Sequence, residues 1–264
     1  MSKKILGFIT ILFLFISCAP EEEKDDFWNE INTNLYYQPF IFVFSDTQDP
    51  FCAEYGQPQL EKILNGEIDG IASKNANGFM MYPSILDPQY SNVAEELKFL
   101  FDNNGNNTLT TWPAYVNDLN CFNIDSTSWH TSIKNSQKKV PNIKLGIKTI
   151  PSKQDIIVYV KGEYTASISK HSIALYVYRK SELANQETYS GKEIFTSKNK
   201  IISSLTPTLG KELPANSSGQ EFRSVFTLNT SGETLSNLGV VVVIYSLSDN
   251  VPIEIINSLK VEDL

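Results

Sequence analysis

Cysteine, histidine and basic residues are all scarce in this sequence. Its 264 residues include three cysteines, two histidines and 22 lysines and arginines against 30 aspartates and glutamates, a formal net charge of −8. Such a surface repels nucleic-acid phosphates and anionic lipid headgroups. His130 and His171 have no second histidine or cysteine at ligand spacing, so we expect no zinc site. Glycine-rich phosphate loops and nucleophilic serine motifs are missing too, and we therefore expect no cofactor.

No apolar run in the sequence is long enough to cross a membrane as a helix. The longest, residues 5–16, has twelve residues, whereas a spanning helix needs about 20. Because Lys3 and Lys4 precede this run, residues 1–17 are predicted to be a signal peptide. The "SCAP" that follows resembles a bacterial lipobox, which implies cleavage before Cys18, lipidation of Cys18 and the membrane as a partner. The alternative is an ordinary signal peptide with an incidental cysteine.

Residues 18–34 contain the run "APEEEKDD", which has nothing apolar to bury. This composition predicts a solvated acidic tether. An acidic run directly after a lipidated cysteine also resembles the export signal of surface lipoproteins in the Bacteroidetes. That resemblance implies a lipid-anchored outer-membrane protein exposed at the cell surface. A spacer that holds the protein clear of an inner leaflet is the alternative.

Residues 35–139 alternate between strand and helix patterns. The apolar run at 39–45 is typical of a strand buried on both faces. Asn92 and Glu95 are spaced as a capping box and predict a helix that Gly105 ends. The segment "TWPAYVNDLNCFN" predicts a hairpin that turns at Asn117 and Asp118, and "STSWHTSIKNS" predicts a closing helix. This half is expected to be an α/β domain.

Residues 140–264 show a different pattern. In "NIKLGIKTI" the apolar and polar residues alternate, and five further short strand-like runs follow between clusters of Gly, Pro, Asn and Ser. Many short strands without a helix predict an all-β, immunoglobulin-like sandwich. The boundary between the two domains is expected at residues 139 and 140.

A cysteine occupies the loop between the first strand and its helix. The segment "SDTQDPFCAEYGQP", which holds Cys52 and Pro58, and the later "TWPAYV" resemble a thioredoxin-like domain. In that fold a cis-proline opens the strand beside the thiol loop, and the resemblance gives this role to Pro113. A helix N-terminus can lower the pKa of a cysteine thiol.

Over residues 36–264 the sequence resembles the Omp28-related outer-membrane lipoproteins of Bacteroidetes. The C-terminal pattern of strands, an "LG" turn and the closing "IINSLKV" carries this likeness best. The resemblance implies a thioredoxin-like half followed by a β-sandwich. Members often carry Cys-x-x-Cys, where this chain has Cys52-Ala53-Glu54-Tyr55. Dithiol exchange needs a second, resolving thiol, so we expect no catalytic residues and no enzyme activity.

Cys52 and Cys121 remain once Cys18 is assigned to the lipid. In an oxidising compartment an even pair is a candidate disulfide. If the hairpin turns at Asn117 and Asp118, Cys121 pairs with Ala114 and lies level with Pro113. A disulfide, two inert thiols and a functional thiol at Cys52 all remain open.

The most favoured function is non-enzymatic binding or adhesion at the cell surface. The ligand would be an unidentified protein or glycan, and its candidate contacts are the aromatics Tyr82, Tyr90 and Trp112 near the thiol loop. One alternative is an envelope thiol-disulfide exchange protein that uses Cys52. Another is an accessory subunit of a surface uptake or secretion complex.

Overall fold

The structure is a computed structural model that describes residues 25–72, 76–103, 112–122, 126–230 and 233–264. The chain divides into two units after Glu30, and the described residues from Ile31 onward form one compact unit. The described part of the first contains helix α1, Asp25–Asn29. The predicted signal peptide, the lipidation site Cys18 and the start of the tether lie outside the described residues.

Among the described residues, no helix combines the length and apolar character needed to span a membrane.

The first half of the second unit contributes four strands and three helices. The strands are β1 (Phe40–Phe44), β2 (Asn77–Met81), β3 (Ala114–Asn117) and β4 (Asn120–Phe122). They lie in the order β2-β1-β3-β4, with β2 parallel and β3 antiparallel to β1. A π-helical turn, Cys52–Gly56, runs into helix α2, and the helices are α2 (Gln57–Leu64), α3 (Asn92–Asn103) and α4 (Ser126–Ser136).

Strand β1 is apolar throughout because both of its faces are buried. Phe40, Phe42 and Phe44 pack with α3 in one cluster, whereas Ile41 and Val43 pack with α2 and α4 in another. Alternate residues of a strand point to opposite faces, so the two clusters are separated by the sheet. The prediction of a strand covered on both sides is confirmed.

In the second half, the described residues form strands and a short 3₁₀ turn, with no α-helix among them. These strands are β5 (Ile143–Ser152), β6 (Asp155–Tyr164), β7 (His171–Thr188), β8 (Gly191–Ser204), β9 (Lys211–Leu213), β10 (Glu221–Asn229), β11 (Leu238–Ser248) and β12 (Val251–Val261). A three-stranded sheet, β10-β6-β5, forms one layer. Its inward apolar residues meet those of β7, β11 and β12 in a shared core.

One sheet of nine strands runs through both halves. Its order is β12-β11-β7-β8-β2-β1-β3-β4, with β9 paired to β7. The halves join where β2 meets β8 in parallel at Met80 and Lys200. The boundary predicted at residues 139 and 140 falls between α4 and β5, but the sheet combines strands from both sides of it. The protein is therefore mostly β, with a large mixed sheet and few helices.

The β3–β4 hairpin turns one residue later than predicted. Asp118 and Leu119 form the turn with φ of 49° and 71°, and Cys121 pairs with Val116 instead of Ala114. The Oδ1 of Asp118 accepts a hydrogen bond of 3.2 Å from the Phe40 N–H, which fixes Asp118 at the turn. At about 3.4 Å per residue, the correction moves Cys121 roughly 7 Å away from the level of Pro113.

Residues 31–34, predicted as the end of the tether, belong to the compact second unit. Asn34 forms a β-bridge with Leu145, and the Thr33 hydroxyl donates to Glu163 Oε1 over 2.8 Å. A Cβ added at Gly146 would lie 2.5 Å from the Asn32 carbonyl oxygen, so only glycine fits under this segment. The body of the protein therefore begins earlier than residue 35.

Lys200, a buried lysine where β2 meets β8, is predicted to contribute measurably to the stability of the fold. Lys200 is 5% exposed, and its Nζ lies 2.6 Å from Gln89 Oε1 and 2.9 Å from Glu182 Oε2. Lys200→Ala leaves both acceptors short of a donor, and should lower the free energy of unfolding by about 1–3 kcal/mol. Urea unfolding measures the change. The control Lys192→Ala removes an exposed lysine from the hairpin tip and should stay within about 0.5 kcal/mol; equal losses would contradict the prediction.

Candidate functional site

The thiol loop, residues 45–52, connects β1 to the π-helical turn. Its aspartates shape it locally, as Asp46 Oδ1 accepts from the Gln48 N–H at 2.8 Å and Asp49 Oδ1 accepts from the Phe51 N–H at 2.9 Å. Such Asx turns explain why the sequence spaces aspartates through this loop. They place Cys52 at the start of the π-helical turn, against the end of the sheet.

The Cys52 thiol is buried and protonated. Its side chain is 1% exposed, and its sulfur accepts a hydrogen bond from the Asp46 N–H at 3.3 Å. Burial is the largest cause that raises the pKa of Cys52 to about 12. Hydrogen bonds from Ser45 and the Asp46 backbone N–H lower this pKa in part, whereas the charges of Asp49 and Asp46 raise it further. The lowering of a thiol pKa that a helix N-terminus can produce is therefore not seen at Cys52, where desolvation is the largest cause of the shift.

Tyr55 occupies the position at which a resolving thiol would stand. Its ring packs on Phe51 with 4.4 Å between centroids, and its carbonyl oxygen accepts a 2.7 Å hydrogen bond from the Tyr115 hydroxyl. The π-helical turn is therefore fixed both at its surface and from the sheet below. Nothing at this position can release a mixed disulfide from Cys52.

Pro113 lies beside the thiol loop and directly before β3. The Trp112–Pro113 peptide bond is cis. A Cβ added at Gly56 would lie 3.3 Å from Pro113 Cβ and 3.4 Å from Ser45 Oγ. The proline, the π-helical turn and the end of β1 thus meet closely at Gly56.

Cys121 lies away from Cys52. It packs against the cluster on the α3 face of the sheet. Cys52 instead interacts with Tyr82 and Tyr115, whose side chains belong to the opposite cluster. Cys52 is a free thiol, so the structure contains no disulfide between Cys52 and Cys121.

The three aromatics predicted as ligand contacts are not brought together. Tyr82 is buried on the α2 and α4 face, where its hydroxyl lies 3.2 Å from Ser197 Oγ. Trp112 packs against the opposite cluster, 5.9 Å from the ring of Phe44. Tyr90 precedes α3, where its hydroxyl donates to Glu95 Oε2. They do not form one binding surface.

A long hairpin from the second half covers the thiol loop. Strands β7 and β8 continue beyond their contact with the rest of the sheet as a paired extension, residues 181–198. Gln186 on this extension is 5% exposed, and its Nε2 lies 3.3, 3.1 and 3.0 Å from the carbonyl oxygens of Asp46, Thr47 and Asp49. The Glu187 N–H also donates to Thr47 O at 2.8 Å. The hairpin thereby holds the loop that leads to Cys52 against the rest of the molecule.

Sequence reasoning missed Gln186. It stands in the polar run "SELANQET", where nothing in the spacing distinguishes it from its exposed neighbours. The length of the two strands around it was the available signal, because a hairpin longer than its sheet must cover something or extend into solvent. Asp87 was also missed; it is buried, and its carboxyl group accepts from the Thr47 N–H at 2.6 Å and the Thr47 hydroxyl at 2.9 Å.

A cleft of about 230 Å³ opens between the π-helical turn with α2 and the hairpin. Its polar lining includes Gln57 and Glu61 from the helix and Gln186, Thr188 and Glu193 from the hairpin. Within the described ranges, no group of three or more His, Cys, Asp or Glu side chains is placed to hold a metal ion.

Solved structures share this fold. HBP35 of Porphyromonas gingivalis matches with a TM-score of 0.70 and 13% identity, over 88% of this chain and 76% of that one. Protein AGR_C_4864 of Agrobacterium tumefaciens matches with a TM-score of 0.59 and 9% identity, over 86% and 95%. No protein-family model and no curated protein matches the chain. At such low identities the likeness concerns the fold alone.

The hydrogen bonds from Gln186 to the thiol loop predict that Cys52 is protected from thiol reagents. Gln186→Ala removes the donor to the loop carbonyls, so the rate of Cys52 alkylation by iodoacetamide should rise about tenfold, in line with the loss of one to two hydrogen bonds. Asn185→Ala is the matched control, because Asn185 is exposed on the adjacent position. Unchanged alkylation in Gln186→Ala would show that the hairpin does not protect the thiol.

The carboxyl group of Asp46 predicts a pH-dependent stability. Burial, then Asp87 and Asp49, raise its pKa, opposed by the Gln48 N–H. The folded chain thus holds this proton more tightly than the unfolded chain, and folded stability falls as the pH rises from about 4 through the raised value. Asp46→Asn should stabilise the protein at pH 7 by up to about 1 kcal/mol, the upper range for a partly screened charge.

The difference between Asp46→Asn and the original chain should shrink toward zero by about pH 3, where the unfolded carboxyl is also mostly protonated. Urea unfolding at pH 3 and pH 7 measures it. Asp69→Asn, on an exposed aspartate, should change neither value. A stabilisation of equal size at both pH values would indicate a cause other than this carboxyl charge.

Proposed function

We propose that this protein is a non-enzymatic binding protein in which a thioredoxin-like half serves as a scaffold. The observation that carries the proposal is the state of Cys52: 1% exposed, with a pKa raised to about 12. The thiolate is the nucleophile in thiol exchange, and at neutral pH this site holds almost none.

The topology of the first half supports the thioredoxin-like assignment. A strand enters the thiol loop and its helix, the next strand pairs with it in parallel, and a cis-proline opens the antiparallel strand on its other side. The second half, in which three strands face the extended sheet across an apolar core, supports a sandwich. These two halves are what the resemblance to Omp28-related lipoproteins implies.

The proposed setting is the outer membrane, with the protein held at the cell surface by lipid on Cys18. The support is in the sequence: an apolar run too short to span a bilayer, a lipobox-like cysteine and an acidic tether. Several acyl chains together hold a membrane firmly, whereas one chain does so only marginally.

Exposed apolar side chains near the thiol loop support a binding role. Ile85 and Leu86 are 72% and 79% exposed, and Tyr189 at the hairpin tip is 73% exposed. Leu86 lies beside the loop, since its carbonyl oxygen accepts from Gln48 Nε2 at 2.8 Å. Ile85 and Leu86 are adjacent in the chain, and exposed apolar side chains that form a contiguous patch mark sites of protein interaction.

A thiol assay tests the proposal. The native chain should reduce insulin with dithiothreitol no faster than Cys52→Ser, and Tyr55→Cys should add little, because Cys52 stays covered. Native Cys52 should also be alkylated at pH 7 at least about a hundredfold more slowly than in the urea-unfolded chain, given its raised pKa. Turnover by the native chain that is lost in Cys52→Ser would reject the scaffold role in favour of thiol exchange.

A further inference from the structure

The cleft between helix α2 and the hairpin has acceptor groups without donors. The Nε2 group of Gln186 is taken by the carbonyl oxygens of the thiol loop and of Glu187. This fixes the amide orientation, because a flipped amide would set its oxygen against those carbonyl oxygens. No donor among the described residues reaches Gln186 Oε1, although the side chain lines the cleft and is 5% exposed.

Gln57 on the opposite wall repeats this arrangement. Its Nε2 donates to Glu61 Oε1 over 3.0 Å and to the Thr196 carbonyl oxygen. Its Oε1 is buried and has no hydrogen-bond partner among the described residues. Within the described part of the chain, Gln57 Oε1 is therefore a buried acceptor without a donor, which is costly. Each wall of the cleft thus has an amide oxygen that receives no donor from the described residues, and a ligand rich in donors would satisfy them.

Two carboxyl groups complete the lining. Among the described residues, Glu193 Oε1 accepts only from the Thr188 hydroxyl, at 3.4 Å, whereas Glu61 Oε1 accepts from Gln57 Nε2 and also lies 3.7 Å from Lys198 Nζ. Lys198 is 41% exposed at its side chain, and an ion pair of this length at the surface is weak. The cleft therefore combines amide oxygens and carboxylates, and among the described residues its acceptors outnumber the donors that reach them.

We propose that this cleft binds one cationic side chain, arginine or lysine, of a partner polypeptide. Ammonium and guanidinium groups carry several donors, no acceptor and a positive charge, which matches two amide oxygens between two carboxylates. The inference deepens the proposed binding role and rests on it. The net charge of −8 also draws a basic partner toward the protein.

Size and wall chemistry distinguish this ligand from others. The cleft of about 230 Å³ is smaller than most small-molecule sites, which have about 300–1,000 Å³, but it accommodates a side chain. Phe195 and Pro58 in the lining provide apolar contact for an aliphatic stem, and the aromatic face attracts a cation. A divalent metal ion favours an all-oxygen shell and gains nothing from these apolar walls.

The test is a titration of the full chain with acetyl-arginine-amide and acetyl-lysine-amide, followed by amide chemical shifts. We expect saturable shifts at the cleft residues, and no binding of the neutral isostere acetyl-citrulline-amide. Glu193→Gln and Glu61→Gln should each weaken binding about tenfold, as expected for a charge-assisted hydrogen bond. Glu212→Gln, on an exposed glutamate of β9, should leave binding unchanged.

Three results would overturn the inference: no saturable shift with either cationic amide, equal binding of the citrulline amide, or equal weakening by Glu212→Gln. Cleft shifts produced by calcium chloride alone would assign the cleft to a metal ion instead. The thiol assay is separate, so failure of the scaffold role would appear as turnover at Cys52, whereas failure of this inference would appear as an empty cleft beside an inert thiol.

Discussion

The amide group of Gln186 determines much of what this end of the molecule can do. Through a single Nε2 it reaches carbonyl oxygens of three residues in the thiol loop. Because the loop is held under the hairpin, Cys52 is desolvated, and desolvation is the largest cause of its raised pKa. The same hold leaves the amide oxygen without a donor among the described residues and adds an acceptor to the lining of the neighbouring cleft. The buried thiol and the acceptor-rich cleft thus have a common cause.

That contact exists because the two halves share one sheet. Strand β8 pairs with β2 at the edge of the four-stranded part, and this pairing sets the direction in which the β7–β8 extension leaves the sheet. Lys200 at the junction joins β8 to β7 and to the segment before α3 through Glu182 and Gln89. The covering of the thiol loop is therefore a property of the whole unit rather than of either half.

Local patterns predicted the elements, and contacts between distant residues decided what the sequence could not show. The run at 39–45, the alternation in β5 and the capping box of α3 give elements at the observed places, because burial and period-two or helical spacing are local properties. The β3–β4 turn was misplaced since Asp118 is bound to Phe40, 78 positions earlier. Local spacing did not reveal the role of Gln186 for the same reason: its partners lie 137 to 140 positions away.

The carboxyl groups around Cys52 disfavour ionisation of its thiol, as does its burial. Hydrogen bonds from Ser45 and the Asp46 N–H favour the Cys52 thiolate, but burial outweighs them, and the carboxyl groups of Asp49 and Asp46 also oppose its ionisation. Burial, Asp87 and Asp49 also raise the pKa of Asp46, so the loop disfavours negative charge at this position as well. Such a surrounding disfavours one more anion and favours a cation. A thiol site normally favours an anionic sulfur, whereas this loop disfavours one. The acceptor-rich cleft beside the loop is suited to a cation for the same reason.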